Sequence, residues 1–206
     1  MENDNFIAAE MLTHPVLFTH PHAKKIALIN NQDESMLQEI LKHPNVTDVW
    51  NISEEKFSAA KNDPRVQLHI GNSADYFSKN KTESFDIIIT LNPAYSVDLF
   101  RDYLSALNKD GILIQQCESF FDVSKLKLIQ DDLRDAGFHN VQILTFPQPS
   151  YPSGWRAAVM AIKQGIFKRP SEKAIFNKPF NTRYYNFDVH KASFAIPEFI
   201  REQINS

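Results

Sequence analysis

Cysteine is almost missing from this chain. Cys117 is the only one among 206 residues, so no internal disulfide can form and no zinc site can be built on cysteine thiolates. That usage points to a reducing, cytoplasmic setting. No apolar run approaches the roughly 20 residues of a membrane-spanning helix. The opening residues, Met1-Glu2-Asn3-Asp4-Asn5, are polar and acidic, unlike a secretory signal. Charge of one sign is also lacking in bulk. The formal net charge of −3 gives no broad attraction to nucleic acid or to an anionic membrane. A mildly acidic protein suits a cationic small ligand instead. No metal site is expected.

What is present is an alternation of short apolar runs and amphipathic stretches. Lys25–Ile29, Val46–Ile52, Arg65–Ile70, Phe85–Leu91, Ile112–Gln116, Val141–Phe146 and Trp155–Ile162 read as strands. Phe85–Leu91 is the clearest, a β-branched run of the kind buried on both faces. Helices are expected at 4–13, Ser35–Leu41, Glu54–Lys61, Asp98–Leu107 and Val123–Ala136, the last closed by Gly137. Asn108–Gly111 reads as a turn, and Gly165–Lys178 as a looser, charged connection. The alternation predicts an α/β fold, a mostly parallel seven-stranded sheet with helices on both faces. At 206 residues the chain is long enough for one unit spanning 1–206 and too short for two ordinary ones. In such sheets ligands sit outside the carboxyl ends of the strands, where strand order reverses.

Glycine is scarce as well, and its absence after the first strand matters. A nucleotide-type site places glycines there so that the backbone can turn tightly beside its ligand. Here the loop reads Asn30-Asn31-Gln32-Asp33-Glu34-Ser35. By bare chemistry Asp33 or Ser35 caps the next helix, or Asp33 offers a carboxylate to a cation. Asn72 and Ser73 follow the third strand and suit a helix cap or a ligand hydrogen bond. Asp98 fits the first turn of a helix, where an acid complements the helix dipole. Cys117 reads as a packing residue, since no feature lowers its pKa.

Three segments carry a resemblance. They are Pro149-Ser150-Tyr151-Pro152-Ser153-Gly154, Arg183-Tyr184-Tyr185-Asn186, and His190 to Pro197. With Asp4–Met11 at the start, they resemble the spermidine synthase family, the aminopropyltransferases of polyamine synthesis. The terminal signature spans 183–198. The resemblance implies a Rossmann-like, class-I methyltransferase-type fold. It also implies transfer of an aminopropyl group from decarboxylated S-adenosylmethionine to putrescine, with no separate cofactor.

The same resemblance distributes roles. Asp33 would face the amine of the aminopropyl donor. Asn51 stands where an acid holds the ribose hydroxyls, with Ser53 two residues on. Asn72 and Ser73 stand where the adenine is read. Tyr151, Glu118 and Glu10 would line the diamine, unless Tyr151 only braces its turn, and Glu118 is the one candidate base. Tyr184, Tyr185 and His190 read as packing or interface residues.

The pattern departs from the family at several positions. The glycines around Asp33 are replaced, and Leu91 falls where the first acid of an Asp-x-x-Asp-Pro motif belongs, in Thr90-Leu91-Asn92-Pro93-Ala94-Tyr95. Ala8 and Ala9 replace a Tyr-His pair, and the family's preceding β-hairpin domain is not in this sequence. Two readings follow. One is a divergent aminopropyltransferase. The other is a catalytically degenerate relative, a binding or scaffold subunit. A homodimer, or pairing with an active homologue, is the assembly that the resemblance implies.

Overall fold

A computed structural model describes residues 4–31, 34–55, 63–80, 84–91 and 95–205. The seven predicted strands all form: β1 (Lys25–Ile29), β2 (Asp48–Ser53), β3 (Val66–Ile70), β4 (Phe85–Thr90), β5 (Leu107–Ser119), β6 (Asn140–Pro147) and β7 (Trp155–Ile162). They build one sheet in the order β3-β2-β1-β4-β5-β7-β6. The pairings from β3 through β5 are parallel, and β7 lies antiparallel between β5 and β6. Strand order reverses between β1 and β4.

Side-chain alternation along the strands divides the core in two. Ile26, Leu28, Ile87 and Ile89 pack beneath α1 (Asn5–Thr19) and α2 (Glu34–Leu41), against Met11, Val16 and Leu37. Ala27, Ile29 and Ile88 point the other way, to Phe77 of α3 (Ser73–Lys79), Phe100 and Tyr103 of α4 (Val97–Ala106), and Leu126 and Leu133 of α5 (Val123–Ala136). β4 is buried on both faces because both layers need it.

Local chemistry sets the element ends. Gly137 closes α5 at φ 107°, the left-handed conformation that suits glycine. The turn expected at Asn108–Gly111 is instead an irregularity inside β5, where the register with β4 shifts between Phe85 and Ile87. A Cβ on Gly111 would lie 2.9 Å from the Asn108 carbonyl oxygen, so the chain there demands glycine. α1 runs on to Thr19, beyond the predicted end at 13. The predicted helix 54–61 falls mostly outside the described residues. Three short helices follow β7, at α6 (Glu172–Phe176), α7 (Phe187–Ala192) and α8 (Glu198–Asn205), of which α6 begins inside the stretch read as a loose connection.

The C-terminal signature is fastened to α1 through Glu10, which is 1% exposed. Its carboxylate accepts hydrogen bonds from the backbone amides of Arg183 (2.8 Å), Tyr184 (2.9 Å) and Tyr185 (2.8 Å). This corrects the expectation that Glu10 lines the diamine: its lone pairs are committed to the fold. A second chain of bonds runs beside it. His14 reaches Glu39 at 3.1 Å and His43 at 3.0 Å, under the rings of Phe18, Phe180 and Tyr185. The Tyr185 hydroxyl bonds His190 Nδ1 at 2.9 Å.

The protonation states follow from the geometry. Burial pushes the Glu39 carboxyl up, but hydrogen bonds from His14 and Lys42 outweigh it and hold the group below its usual value. Ionised Glu39 therefore accepts from His14 Nε2–H. Burial keeps His14 neutral, so its Nδ1 accepts from His43 Nε2–H. Protonating His14 would require His43 to change tautomer, so that its Nε2 accepts from His14 Nδ1–H.

Two predictions follow from this clamp. Glu10→Ala strands three amides and should cost about 2–4 kcal/mol of unfolding free energy, read by denaturant titration. A loss below about 1 kcal/mol would show that water replaces the carboxylate. The second concerns pH. Burial lowers His43 to about 3 and His190 to about 4, below the unfolded value near 6.5. The unfolded chain then takes up protons first, so stability is full above pH 6.5 and declines as pH falls toward the folded values. The slope should reach at most about 1.4 kcal/mol per pH unit for each histidine. Melting curves between pH 7.5 and 5 should show it, and His43→Gln should flatten it.

Candidate functional site

At the carboxyl ends of β1 and β4 the sheet opens into a cleft of about 170 Å³. Its walls come from six parts of the chain. Asn31 follows β1, Ser35 and Met36 open α2, and Leu91 follows β4. Gln116 comes from β5, and Gln148 and Arg156 from the β6–β7 hairpin. Asn5, Ala8, Ala9 and Leu12 of α1 form the remaining side. A larger cavity of about 600 Å³, beside Thr19, Asn140, Phe167 and His190, lies at the opposite end of the sheet. The smaller cleft is the candidate site, because the strand order reverses beneath it.

Two tethers hold α1 over this end. The Asp4 carboxylate accepts from the Ser150 backbone amide at 2.7 Å and from the Ser150 hydroxyl. Those bonds hold the Asp4 carboxyl below its usual value. Gln148 Nε2 donates to Asn5 Oδ1 at 3.3 Å. The Gln148–Gly154 loop closes on itself through bonds from Gln148 N to Gly154 O and from Gly154 N to Tyr151 O, both 2.8 Å. Gly154 turns at φ 71°, a conformation that few side chains tolerate.

The residue after β1 keeps a glycine's geometry without the glycine. Asn30 adopts φ 55°, the left-handed region in which asparagine is the best tolerated of ordinary residues. Asp33 lies outside the described residues, as do Asn92, Pro93 and Ala94.

The remaining expected residues divide into engaged and open. Asn51 is buried at the end of β2, and its Oδ1 has no partner among the described residues. Ser53 accepts from Glu55 N at 3.3 Å. Asn72 caps α3 by accepting from Ala74 and Asp75 amides, and it donates to Glu54 at 2.7 Å. Ser73 is buried beside the Tyr103 hydroxyl.

Glu118 requires a correction. Its side chain is 55% exposed and pairs with Lys125 at 2.9 Å, outside the cleft, so it is not placed to take a proton there. The β5 register shift between Cys117 and Ser119 accompanies this outward turn. Asp98 sits in the first turn of α4 and pairs with Arg101 at 2.9 Å. Burial pushes the Cys117 thiol up to about 12, which removes it as a nucleophile. Leu91 lines the cleft where the family places an acid.

Arg156 and Gln148 are cleft residues that the sequence reading passed over. Arg156 is the one charged residue in the apolar run Trp155–Ile162, and that was the available signal. Its guanidinium lies over the Tyr151 ring at 4.9 Å. Tyr151 therefore presents a ring face already covered by a cation.

The spermine/spermidine synthase domain pattern matches residues 5–170 of this chain. The chain belongs to the spermine/spermidine synthase family. A polyamine aminopropyltransferase from Thioalkalivibrio sulfidiphilus is 36% identical over 98% of this chain and 80% of its own length. One from Methylococcus capsulatus is 37% identical over 98% of this chain and 78% of its own. The crystal structure of spermidine synthase from Thermotoga maritima superposes with a TM-score of 0.89 at 28% identity, covering 99% of this chain and 75% of that one. Family membership accounts for the sheet order and for the terminal signature that Glu10 fastens.

Among the described residues, no group of three His, Cys, Asp or Glu is arranged to hold a metal. None of the described helices is long and apolar enough to cross a membrane.

The unpartnered acceptor on Asn51 yields a stability test. A buried acceptor without a donor costs free energy, so Asn51→Leu should leave unfolding free energy unchanged or raise it by up to about 1 kcal/mol. A clear loss on thermal denaturation would mean that this amide serves the fold and not a ligand.

Proposed function

We propose that this protein is an aminopropyltransferase of the polyamine type, moving a three-carbon amine chain from a sulfonium nucleoside to an amine. The observation that carries this reading is the family match along nearly the whole chain, coupled to a cleft at the sheet end where nucleoside ligands bind. The named relatives are enzymes, and the comparisons lend no support to a degenerate subunit.

The chemistry sets requirements on the site. The amine lone pair attacks the carbon bonded to the sulfonium, and the carbon–sulfur electron pair moves to sulfur. Methylthioadenosine leaves as a neutral thioether, and the new ammonium sheds a proton. The attacking amine must be neutral, although alkyl amines titrate near the lysine value of about 10.4. An acceptor for its proton within hydrogen-bond reach is therefore needed.

In this reading the nucleoside lies across the ends of β1, β2 and β3. Asn51 Oδ1 accepts a ribose hydroxyl, which supplies the donor that it lacks. Asn72 and Ser73 border the adenine end. Asp33 faces the amine of the transferred chain. The cleft beside α1 is too small for the nucleoside and suits that chain with the amine that attacks it. Decarboxylated S-adenosylmethionine and putrescine, the family pair, define the first assay.

The deciding experiment is product detection. Purified protein incubated with the family pair should release methylthioadenosine and the aminopropylated amine, both seen by mass spectrometry. Asp33→Asn should abolish turnover, and Asn51→Leu should weaken nucleoside binding about tenfold, as for one lost hydrogen bond. Folded protein that yields no methylthioadenosine with any amine would sink the transfer reading.

A further inference from the structure

The cleft holds a cation where a diamine site would need acids. Among the described residues no carboxylate lines it. Three described acids on the elements that build it are engaged elsewhere: Asp4 by Ser150, Glu10 by three backbone amides, and Glu118 by Lys125. Among the described residues Arg156 makes no ion pair, and Glu118 acts on its charge only through space. It pairs in register with Phe146 on one side and Ser119 on the other, so the strand fixes where its side chain starts. Its Nε is buried with no hydrogen-bond partner among the described residues, and its guanidinium lies over the Tyr151 ring at 4.9 Å.

Beside it stands a complementary group. Gln148 spends its Nε2 on Asn5 and leaves Oε1 buried with no partner among the described residues. The cleft thus offers a planar fork of donors and, next to it, an unsatisfied acceptor. Buried charges and buried polar atoms are normally partnered. A guanidinium fork matches a carboxylate in geometry and charge. An amide oxygen suits an ammonium hydrogen. A plain diammonium chain would satisfy Gln148 and would be repelled by Arg156.

We propose that Arg156 and Gln148 form a recognition site for an α-amino carboxylate, so that one of the two reactants carries an amino-acid head group instead of a bare amine. This rests on the reading of the cleft as a transfer site. Two sources have that chemistry. One is the donor: intact S-adenosylmethionine, whose transferred chain is then 3-amino-3-carboxypropyl. The other is the acceptor: a diamino acid such as ornithine, attacking through its side-chain amine. In either case the bond-making step is the same displacement at the sulfonium carbon, and methylthioadenosine leaves.

Calorimetric titration of the whole chain separates the possibilities. Methylthioadenosine, common to both donors, reports whether the nucleoside site exists. S-adenosylmethionine is then compared with its decarboxylated form. Ornithine is compared with putrescine, with and without methylthioadenosine. The expected result is at least tenfold tighter binding of the carboxylated member in one of the two pairs, and the pair that shows it names the source. Arg156→Leu should erase that preference while methylthioadenosine affinity stays within twofold. Arg156→Gln serves the same comparison if the leucine variant does not fold. Equal or tighter binding of both decarboxylated ligands overturns the assignment, as does a preference that survives loss of the guanidinium. Ornithine binding through Arg156 without nucleoside binding would sustain the carboxylate site and sink the transfer reading. Nucleoside binding without a carboxylate preference would do the reverse.

Discussion

One carboxylate organises the end of this molecule that matters. Glu10 gathers three consecutive amides from Arg183 to Tyr185, 173 to 175 residues away in sequence. An extended run of backbone N–H groups buried without acceptors would be costly, and no side chain but an ionised carboxylate serves three at once. With that contact in place, α1 lies across the sheet, Asp4 reaches Ser150, and the cleft gains its last wall. The histidine chain from Glu39 to His43 locks the same layer from the other flank. The site thus depends on a residue that takes no part in its chemistry.

The cleft itself shows how a fold can keep its architecture while its electrostatics change. The strand order, the crossing helix and the Tyr151 turn match the family's frame. The described lining, by contrast, is neutral except for Arg156, with Leu91, Ala8 and Ala9 at positions where the family carries polar groups. Charge in a small, partly dry cavity decides which ligand ends can enter, because fields there are poorly screened. Shape alone would leave the ligand class open, and the guanidinium narrows it.

Much of the fold was legible in the sequence. Short, continuous β-branched runs such as Ile87–Ile89 favour buried strands by length and residue type, and their spacing leaves room for helices between them. What escaped depended on tertiary contacts. The helices after β7 are five to eight residues long, too short for periodicity to announce. The first two start from side-chain caps on Ser171 and Asn186. β5 absorbs the Asn108–Gly111 turn because its pairing with β4 resumes on the far side. The site was half legible. The segments bordering it followed from topology, and Leu91 lines the cleft at the end of β4. Glu10 and Glu118 did not act as read, since an acid's task is set by whichever donor reaches it first, and neither Tyr185 nor Lys125 is signalled by spacing. Arg156 is hidden by its neighbours: one charge within an apolar run leaves the strand pattern intact.

Asn30 carries a consequence for how this loop can change over evolutionary time. The residue holds φ 55°, a posture in which glycine fits at no steric cost. A single substitution back to glycine would meet the backbone already shaped for it. An exchange between asparagine and glycine at position 30 therefore asks nothing of the backbone, in either direction.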